Sequence, residues 1–228
     1  MVDGGVDSAE CPVDTVVDAA AVQLVETGAS KCNDQRAQEF LVRKNFIPIA
    51  SHRAEHDKAL RYRITEYGRV KGFGNKGLNA RTAAEQVVAT RFMGISVRLH
   101  KRVVPALACV EAELHRVCDG TSGVAVYKPQ ALAGIRDKNT YRGGEVTNHL
   151  FGIAIDIDPQ RNTCCHCVKP WSAHPLCKKK TKSVYERMAM PECWVRVFEQ
   201  FGFYWLGHDV LEDTMHFEFL GEPSKISR

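Results

Sequence analysis

Apolar residues recur at the spacing of an α-helix in two long segments of the chain. The stronger pattern runs from Val103 to Cys118, with Pro105 in the first turn, where proline is tolerated. Its apolar positions are Val104, Leu107, Val110, Leu114 and Val117. The other segment, from Val13 to about Thr27, ends just before Gly28. Both patterns predict helices, and we expect the first helix to lie under a sheet as part of the core.

Shorter periodic stretches predict three more helices, and apolar runs between turn residues predict strands. The helices are expected over residues 34–42, 83–92 and 193–201, and Gly202 ends the last one. After residue 120 the apolar runs are short and are interrupted by Gly, Pro and Asn. These strand candidates cover residues 123–127, 150–157 and 215–220. The pattern indicates an α+β fold, in which helices cover a small, mostly antiparallel sheet.

A glycine-rich segment divides the chain into two unequal parts. Residues 70–80 contain three glycines and two asparagines, a composition typical of a loop. We expect residues 1–80 to form an amino-terminal extension that is helical and packs on the core. Residues 81–228 then form the main domain, which contains all the candidate site residues described below.

The composition is that of an ordinary globular chain. It has 228 residues, of which 44% are hydrophobic and 25% are charged, and it lacks a run of 18 apolar residues that would span a membrane. The formal net charge is +4, and we interpret the basic run at residues 178–182 as a solvated loop. We therefore expect a soluble monomer with neither a membrane span nor a nucleic-acid partner.

Nine cysteines are many for a cytosolic protein, and they favour an oxidising compartment. The first residues resemble no signal peptide, so we expect an exported protein in its mature form. Cys11 and Cys32 flank the first predicted helix, and a disulfide between them would clip its ends together. In the segment 164–177 we favour disulfides over a structural zinc ion at Cys164 and Cys167.

The first group of chemically informative residues begins at His149. In a regular strand His149 and Asp156 would face opposite sides, because side chains alternate and the two residues are seven apart. Gly152 is a position where the chain can bend, so that both side chains reach one site. Asp158 is an alternative to Asp156, although Pro159 follows it and ends the strand.

The second group surrounds His216. Apolar residues at 215, 217 and 219 are expected in the core, which leaves His216 and Glu218 on the opposite face of the strand. Together, His149, Asp156 and His216 are the ligand set of catalytic zinc, because two imidazoles and one carboxylate leave a fourth position for water. Asp213, in the turn before this strand, is the candidate base that accepts the proton of that water.

The spacing His-x6-Asp, followed downstream by Asp-x-x-His, resembles the zinc D-alanyl-D-alanine carboxypeptidases and L-alanyl-D-glutamate endopeptidases, in the superfamily that includes the hedgehog domain. The matching residues are Asn148, His149, Gly152, Ala154, Asp156, Asp213, His216, Phe217 and Glu218. The resemblance covers roughly residues 120–222. It implies a catalytic domain whose sheet carries one zinc ion on His149, Asp156 and His216, with Asp213 as the base.

The same resemblance implies an arginine, before the first histidine, that binds a substrate carboxylate and polarises the scissile carbonyl. Arg136 lies at the expected distance, and Arg142, which is closer, is an alternative. Thr147 stands where the family usually has serine, and it keeps a hydroxyl group. His208 is close to the second motif, and we interpret it as a residue of the substrate pocket.

The resemblance implies zinc-dependent hydrolysis of a peptide bond in the stem peptides of bacterial peptidoglycan. A D-alanyl-D-alanine carboxypeptidase is the leading interpretation. Cleavage at L-alanyl-D-glutamate bonds or at cross-links is an alternative within the same family. A zinc-containing binding module without activity is a further alternative, against which the intact Asp213 argues.

Overall fold

The computed structural model describes residues 32–119, 126–167, 171 and 173–227. Within them the chain forms two antiparallel sheets and several helices, which confirms the predicted α+β class. The helices are α1 (Arg53–Tyr67), α2 (Val104–Val117), α3 (Pro175–Lys178) and α4 (Glu192–Gln200). The strands are β1 (Val87–Phe92), β2 (Ile95–His100), β3 (Leu132–Ala133), β4 (Ala154–Ile157), β5 (Phe203–Trp205) and β6 (His216–Phe219).

The larger sheet joins strands that are far apart in the sequence, in the antiparallel order β3-β4-β6-β5. Its central pair aligns Ile155 with Phe217 and Asp156 with His216. Because side chains alternate along a strand, Ile155 and Phe217 enter the apolar core. Asp156 and His216 project from the other face, where they lie close together. The sheet thus separates an apolar layer from a polar site.

Aromatic side chains of α4 pack on the apolar face of this sheet. Phe198 stacks on Phe217 with 4.1 Å between the ring centroids, and it meets Phe92 of β1 edge to face at 5.7 Å. α2 lies against α4 and adds its apolar stripe to the same core. Burial of one such side chain stabilises the fold by about 2 kcal/mol. The helix predicted over residues 103–118 is confirmed within one residue at each end.

The described part of the amino-terminal region packs on the rest of the chain. Ile64 of α1 belongs to the main core. A second apolar cluster joins Leu41 and Phe46 to Leu220, near the other end of the chain. Arg43 adds ion pairs with Glu145 at 2.5 Å and Asp209 at 2.8 Å. The domain boundary at residue 80 stays a prediction.

The helix predicted over residues 83–92 is wrong. Val87–Phe92 forms strand β1, which pairs with β2 along its whole length. Val87, Val88 and Thr90 are β-branched residues, which favour an extended chain once a partner strand is present. The helix predicted over residues 34–42 is also wrong, since it reduces to one 3₁₀ turn at Glu39–Leu41.

Other predicted elements are confirmed or lie outside the described residues. The strand His216–Phe219 and the helix Glu192–Gln200 form within one residue of their predicted bounds. Of the strand predicted over residues 150–157, only Ala154–Ile157 forms, because the residues before Gly152 belong to a 3₁₀ turn. The helix predicted at residues 13–27 and residues 123–125 of a predicted strand lie outside the description. Residues 126 and 127, the remainder of that predicted strand, are not in a strand.

Four disulfides cross-link the described residues: Cys32–Cys109, Cys118–Cys193, Cys164–Cys167 and Cys165–Cys177. The predicted clip between Cys11 and Cys32 is wrong, because Cys32 bonds to a cysteine of α2, and Cys11 lies outside the described residues. Two bridges tie the segment 164–177, where disulfides were favoured over a structural metal. No helix in the described part of the chain is long and apolar enough to cross a membrane.

Candidate metal centre

A single 3₁₀ turn before strand β4 positions His149. The turn covers Asn148–Phe151, and the His149 N–H donates to the Thr147 hydroxyl at 3.4 Å. Gly152 ends the turn in the left-handed conformation, with φ of +67°. A β-carbon at Gly152 would lie 3.0 Å from the backbone nitrogen of His100, so a larger residue meets both strain and collision. The bend expected at Gly152 is therefore present, and it directs His149 toward the polar face.

The other two candidate ligands are neighbours across the central strand pair. Asp156 of β4 stands directly opposite His216 of β6. Directly opposed residues place their β-carbons about 5 Å apart, so their side chains meet on one face. The pairing register therefore joins two motifs that are sixty residues apart in the sequence.

Three ligand atoms converge at this point. Nε2 of His149 lies 3.2 Å from Oδ1 of Asp156 and 3.1 Å from Nδ1 of His216, and the last two atoms are 2.8 Å apart. Ligands bound tetrahedrally at about 2.0–2.1 Å from zinc would be roughly 3.3 Å from one another. All three side chains are buried. The cluster can bind a metal ion with little movement of its ligand atoms.

Each imidazole has an inner nitrogen in the cluster and an outer nitrogen that points away from it. The hydrogen bonds of the outer nitrogens indicate which ring nitrogens carry protons. Nδ1 of His149 lies 2.6 Å from the carbonyl oxygen of Gly134, which can only accept, so this nitrogen carries the proton. Nε2 of His216 likewise donates to Oε1 of Glu218 at 3.0 Å. The inner nitrogens of neutral rings are then lone pairs directed at one another and at a carboxylate oxygen. A cation between the three atoms would satisfy these lone pairs, and the residues fit one.

The pKa values of the two histidines describe how a proton and a metal compete for this cluster. Burial lowers the pKa of His149, which keeps its ring neutral. Burial also acts to lower the pKa of His216, but hydrogen bonds to Asp156 and Glu218 outweigh it and raise that pKa well above its usual value. Without a metal, His216 therefore holds a proton on the nitrogen that faces Asp156. Metal binding has to release that proton.

A chain of buried polar groups supports His216 from behind. Glu218 accepts from the His216 ring and from the Asn148 amide. The oxygen of Asn148 in turn accepts from Arg63 of α1 at 2.9 Å, and Arg63 also donates to the carbonyl of Val146 at 3.1 Å. The sequence placed Glu218 on the face of His216 but gave it no role. Arg63 was missed because it is 85 residues from Asn148 and no motif marks it.

Asp213, the candidate base, lies beside the cluster but outside its ligand atoms. Its Oδ1 is buried without a hydrogen-bond partner among the described residues, and its Oδ2 lies 3.6 Å from the Cys167 sulfur. Burial raises the pKa of Asp213 to about 7; His216 opposes this shift, and Asp156 adds to it. Two backbone interactions hold the turn that carries Asp213. Asp213 forms an isolated antiparallel β-bridge with Cys164, and its N–H donates to the carbonyl oxygen of Leu206 at 3.3 Å.

Of the two candidate arginines, the structure brings Arg136 to the cluster. Its guanidinium pairs with Oδ2 of Asp156, the oxygen that does not face the histidines, and its backbone N–H donates to the His149 carbonyl at 3.2 Å. Arg142 is exposed, and its side chain makes no hydrogen bond or ion pair with the described residues. Of the two arginines, Arg136 is thus the one that contacts the cluster.

Three other predicted site residues lie elsewhere. Thr147 is 1% exposed, and its hydroxyl accepts a hydrogen bond from the His149 N–H. The His208 ring, 42% exposed, pairs with Glu199 at 3.0 Å, and none of its described contacts is a residue of the cluster. Asp158 accepts hydrogen bonds from Tyr127 at 2.6 Å and from two backbone amides, which excludes it as the alternative ligand.

Tyr141 is a further, partly buried group near the site that the sequence did not mark. Burial raises its pKa well above the usual value, and the negative charges of Glu218 and Asp213 act in the same direction. The guanidinium carbon of Arg43 lies 5.7 Å from the centre of its ring. At neutral pH Tyr141 therefore keeps its proton and is a hydrogen-bond donor beside two carboxylates.

Comparison with models of known protein families gives a match over residues 141–219, to a family described as D-alanyl-D-alanine carboxypeptidase. This segment, about a third of the chain, contains His149, Asp156, His216 and Asp213. No curated protein and no solved structure matches the chain. The fold, the buried metal-binding cluster and this match together support a peptidase of the D-alanyl-D-alanine carboxypeptidase type.

Proposed function

We propose that this protein is a zinc peptidase that hydrolyses a D-alanyl-D-alanine bond in the stem peptides of bacterial peptidoglycan. One observation carries the proposal: a ring nitrogen of His149, a ring nitrogen of His216 and an oxygen of Asp156 converge within 3.2 Å, inside the segment that matches the family. A structural site would use four protein ligands, whereas three leave a position open for chemistry. A peptidase is therefore favoured over a zinc-containing binding module.

Zinc would be held by Nε2 of His149, Oδ1 of Asp156 and Nδ1 of His216, and when bound it supplies Lewis-acid chemistry that activates water and polarises a carbonyl. The protein keeps these three atoms in place through the acceptors of the outer nitrogens, the Gly134 carbonyl and the Glu218 carboxylate. Burial excludes bulk water, which strengthens every charge interaction in the site.

In this mechanism Asp213 moves the proton. Its Oδ1 has no partner among the described residues, so it is free to accept a proton from the attacking water and to return it to the leaving amine. A general base works best when its pKa is close to the working pH. Burial, by raising the pKa of Asp213 to about 7, satisfies that condition in the metal-free protein.

Arg136 orients the substrate. Its guanidinium is held by Asp156 at one edge, while its side chain is 36% exposed and so can also meet a ligand. A planar guanidinium with several donors binds an oxyanion or a carboxylate in a fixed orientation. We assign it to the carbonyl oxygen of the scissile bond, where negative charge develops.

An exported location follows from the same proposal. Peptidoglycan lies outside the cytoplasm, and the four disulfides of the described residues persist in oxidising compartments. The proposed substrate and the disulfides are therefore both consistent with a location outside the cytoplasm.

The test is digestion of purified peptidoglycan and of a short peptide ending in D-alanyl-D-alanine, with mass spectrometry of the products. We expect release of terminal D-alanine, loss of activity after metal removal by a chelator, and recovery when zinc is restored. Release of larger fragments from peptidoglycan alone would instead indicate an endopeptidase. Zinc bound without any metal-dependent cleavage would indicate a binding module and end the peptidase proposal.

The role of Asp213 is tested with Asp213→Asn, which keeps the shape of the side chain. We expect kcat to fall by about 10² to 10⁴ because proton transfer is lost. Zinc affinity should change little, since Asp213 is outside the three ligand atoms. Asp57→Asn, an exposed carboxylate on α1, is the control and should keep full activity. If Asp213→Asn keeps the kcat of the unchanged protein, another group is the base.

A further inference from the structure

The approach to the cluster runs past Arg136. The ligands His149, Asp156 and His216 are 0%, 2% and 3% exposed. Among the described side chains that form ion pairs with them, Arg136 is the one that reaches the surface, with 36% of its side chain exposed. A peptide that reaches the metal centre therefore passes along the surface on which Arg136 lies.

A cavity of about 640 Å³ opens at that surface. The glycine-rich loop at residues 69–74 and residues 135–137 line it, as does Leu150 of the turn that carries His149. Cavities of about 300 to 1,000 Å³ are typical of small-ligand sites. The cavity is therefore large enough for a few residues of a peptide whose scissile bond lies at the cluster.

The cavity carries an excess of positive charge. Arg69, Lys71 and Arg136 line it, against one carboxylate, that of Asp137. Arg69 is occupied, since it donates to the carbonyls of Asn79 at 2.9 Å and Ala80 at 3.1 Å. Lys71 is exposed and has no ion-pair partner in the part of the chain that the structure describes. An exposed ammonium group in the lining of the cavity is thus available to a ligand.

The loop that carries Lys71 is held in one conformation. Val70 and Phe73 exchange backbone hydrogen bonds of 2.9 and 3.3 Å, which places Lys71 and Gly72 at the tip of a tight turn. Gly72 has φ of +86°, and no atom lies within 4 Å of the position its β-carbon would take. The turn therefore presents Lys71 next to open space, with little ordering left to do when a ligand binds.

We propose that this cavity binds a carboxylate of the substrate peptide through Lys71. This inference rests on the proposed function and extends it, because it makes the enzyme prefer acidic peptides. Two carboxylates could meet Lys71: the terminal carboxylate of the peptide, or that of an acidic residue within it. Both share the chemistry that the ammonium group recognises.

The experiment measures the affinity of three peptides by calorimetry, with zinc-loaded protein that carries Asp213→Asn so that no peptide is cleaved. One peptide has both carboxylates free, one has the terminal carboxylate amidated, and one has the internal carboxylate amidated. Lys71→Ala should weaken binding of the first peptide about two- to fivefold, the range of an exposed ion pair. The same substitution should not change the affinity of the amidated peptide that lacks the carboxylate bound by Lys71. That peptide therefore identifies which of the two carboxylates Lys71 binds.

Lys71→Arg should bind as the unchanged residue does, because it keeps the charge. Lys76→Ala removes an exposed lysine of the same loop that does not line the cavity, and it should have no effect. If Lys71→Ala binds all three peptides with the affinities of the protein that keeps Lys71, or if no peptide binds, the proposal is overturned. A protein that binds these peptides but cleaves none with Asp213 intact would overturn the proposed function and leave the cavity site standing.

Discussion

At the scale of single residues, the cluster depends on the groups that hold the outer nitrogens of its histidines. The Gly134 carbonyl fixes His149, and the Glu218 carboxylate fixes His216. A carboxylate behind a ligand histidine also increases the electron density on the metal-binding nitrogen. Because Glu218 is itself buried, its charge needs the amide of Asn148 and the nearby charge of Arg63. Under the proposed function, metal binding would therefore be coupled to residues outside the three candidate ligands.

This coupling predicts the effect of Glu218→Gln. The amide can still accept a hydrogen bond from His216, but it has lost its negative charge, so zinc affinity should fall about 10- to 100-fold. A competition titration with a chromophoric chelator measures this. Glu222→Gln, which alters an exposed carboxylate paired with Lys225, is the control and should leave the affinity unchanged. Equal affinities for the two variants would show that Glu218 has no influence on the metal.

At the scale of elements, the ligands lie on a short turn and on two paired strands. The turn holds His149 only because Gly152 reverses the chain at once and starts β4 in the correct direction. Strand pairing then sets Asp156 against His216. A shift of the pairing by one residue would turn Asp156 and His216 toward different faces of the sheet.

Gly152→Ala should therefore destabilise the fold more than alanine at a glycine of equal φ. Gly143 is the matched control, since its φ is +68° and no atom lies within 4 Å of its β-carbon position. Both variants carry the strain of the left-handed conformation, about 1 kcal/mol. Gly152→Ala adds the collision with His100 and Val87, which should cost about 1 to 3 kcal/mol more. Urea unfolding measures the stability of both variants. If the two variants lose the same stability, the collision at residue 152 is excluded.

α1 connects the amino-terminal region to the site through Arg63. Its guanidinium is buried between the rings of Phe46 and Phe151, whose centres lie 5.7 and 5.6 Å away. Burial lowers the pKa of Arg63 to about 10, which still leaves it charged at neutral pH. Such a group is retained because its hydrogen bonds replace those to water.

Arg63→Met should cost about 3 kcal/mol of stability, because it leaves buried acceptors at Val146 and Asn148 without their donor. Zinc affinity should fall as well, since Glu218 loses the positive charge that favours its ionised form. Arg61→Met changes an exposed arginine of the same helix and serves as the control. The measurements are chemical unfolding and metal titration. If stability falls but zinc affinity does not change, Arg63 stabilises the packing of α1 without influencing the metal site.

At the scale of the whole molecule, two long-range disulfides fasten the helical layer. Cys118–Cys193 joins the end of α2 to the start of α4, and Cys32–Cys109 ties the amino-terminal region to α2; the bonded residues are 75 and 77 positions apart. The bridge Cys164–Cys167 spans only three positions. A cross-link restricts the unfolded chain more when it closes a longer loop.

Replacing Cys118 and Cys193 by alanine should therefore cost about 4 kcal/mol, and replacing Cys164 and Cys167 less than half of that. Thermal and urea unfolding of the two double variants compares them directly. The second variant should still lose activity if the bridge holds the turn of Asp213, which its sulfur contacts. An equal loss of stability in both variants would contradict the loop-length argument.

The sequence by itself determined the features that depend on local spacing. Alternation predicted the two faces of β6, helical periodicity predicted α2, and the seven-residue separation of His149 and Asp156 required the bend that Gly152 makes. These features could be read because neighbouring residues in a chain have fixed geometric relations, of period two in strands and 3.6 in helices.

Only the tertiary structure decided which distant segments meet. It made residues 87–92 a strand by supplying β2 as partner, and it bonded Cys32 to Cys109. It placed Arg136 on Asp156 and left Arg142 in solvent. It also brought Arg63 behind the site. These contacts depend on how whole elements pack, and spacing along the chain carries no information about such packing when the partners are many residues apart.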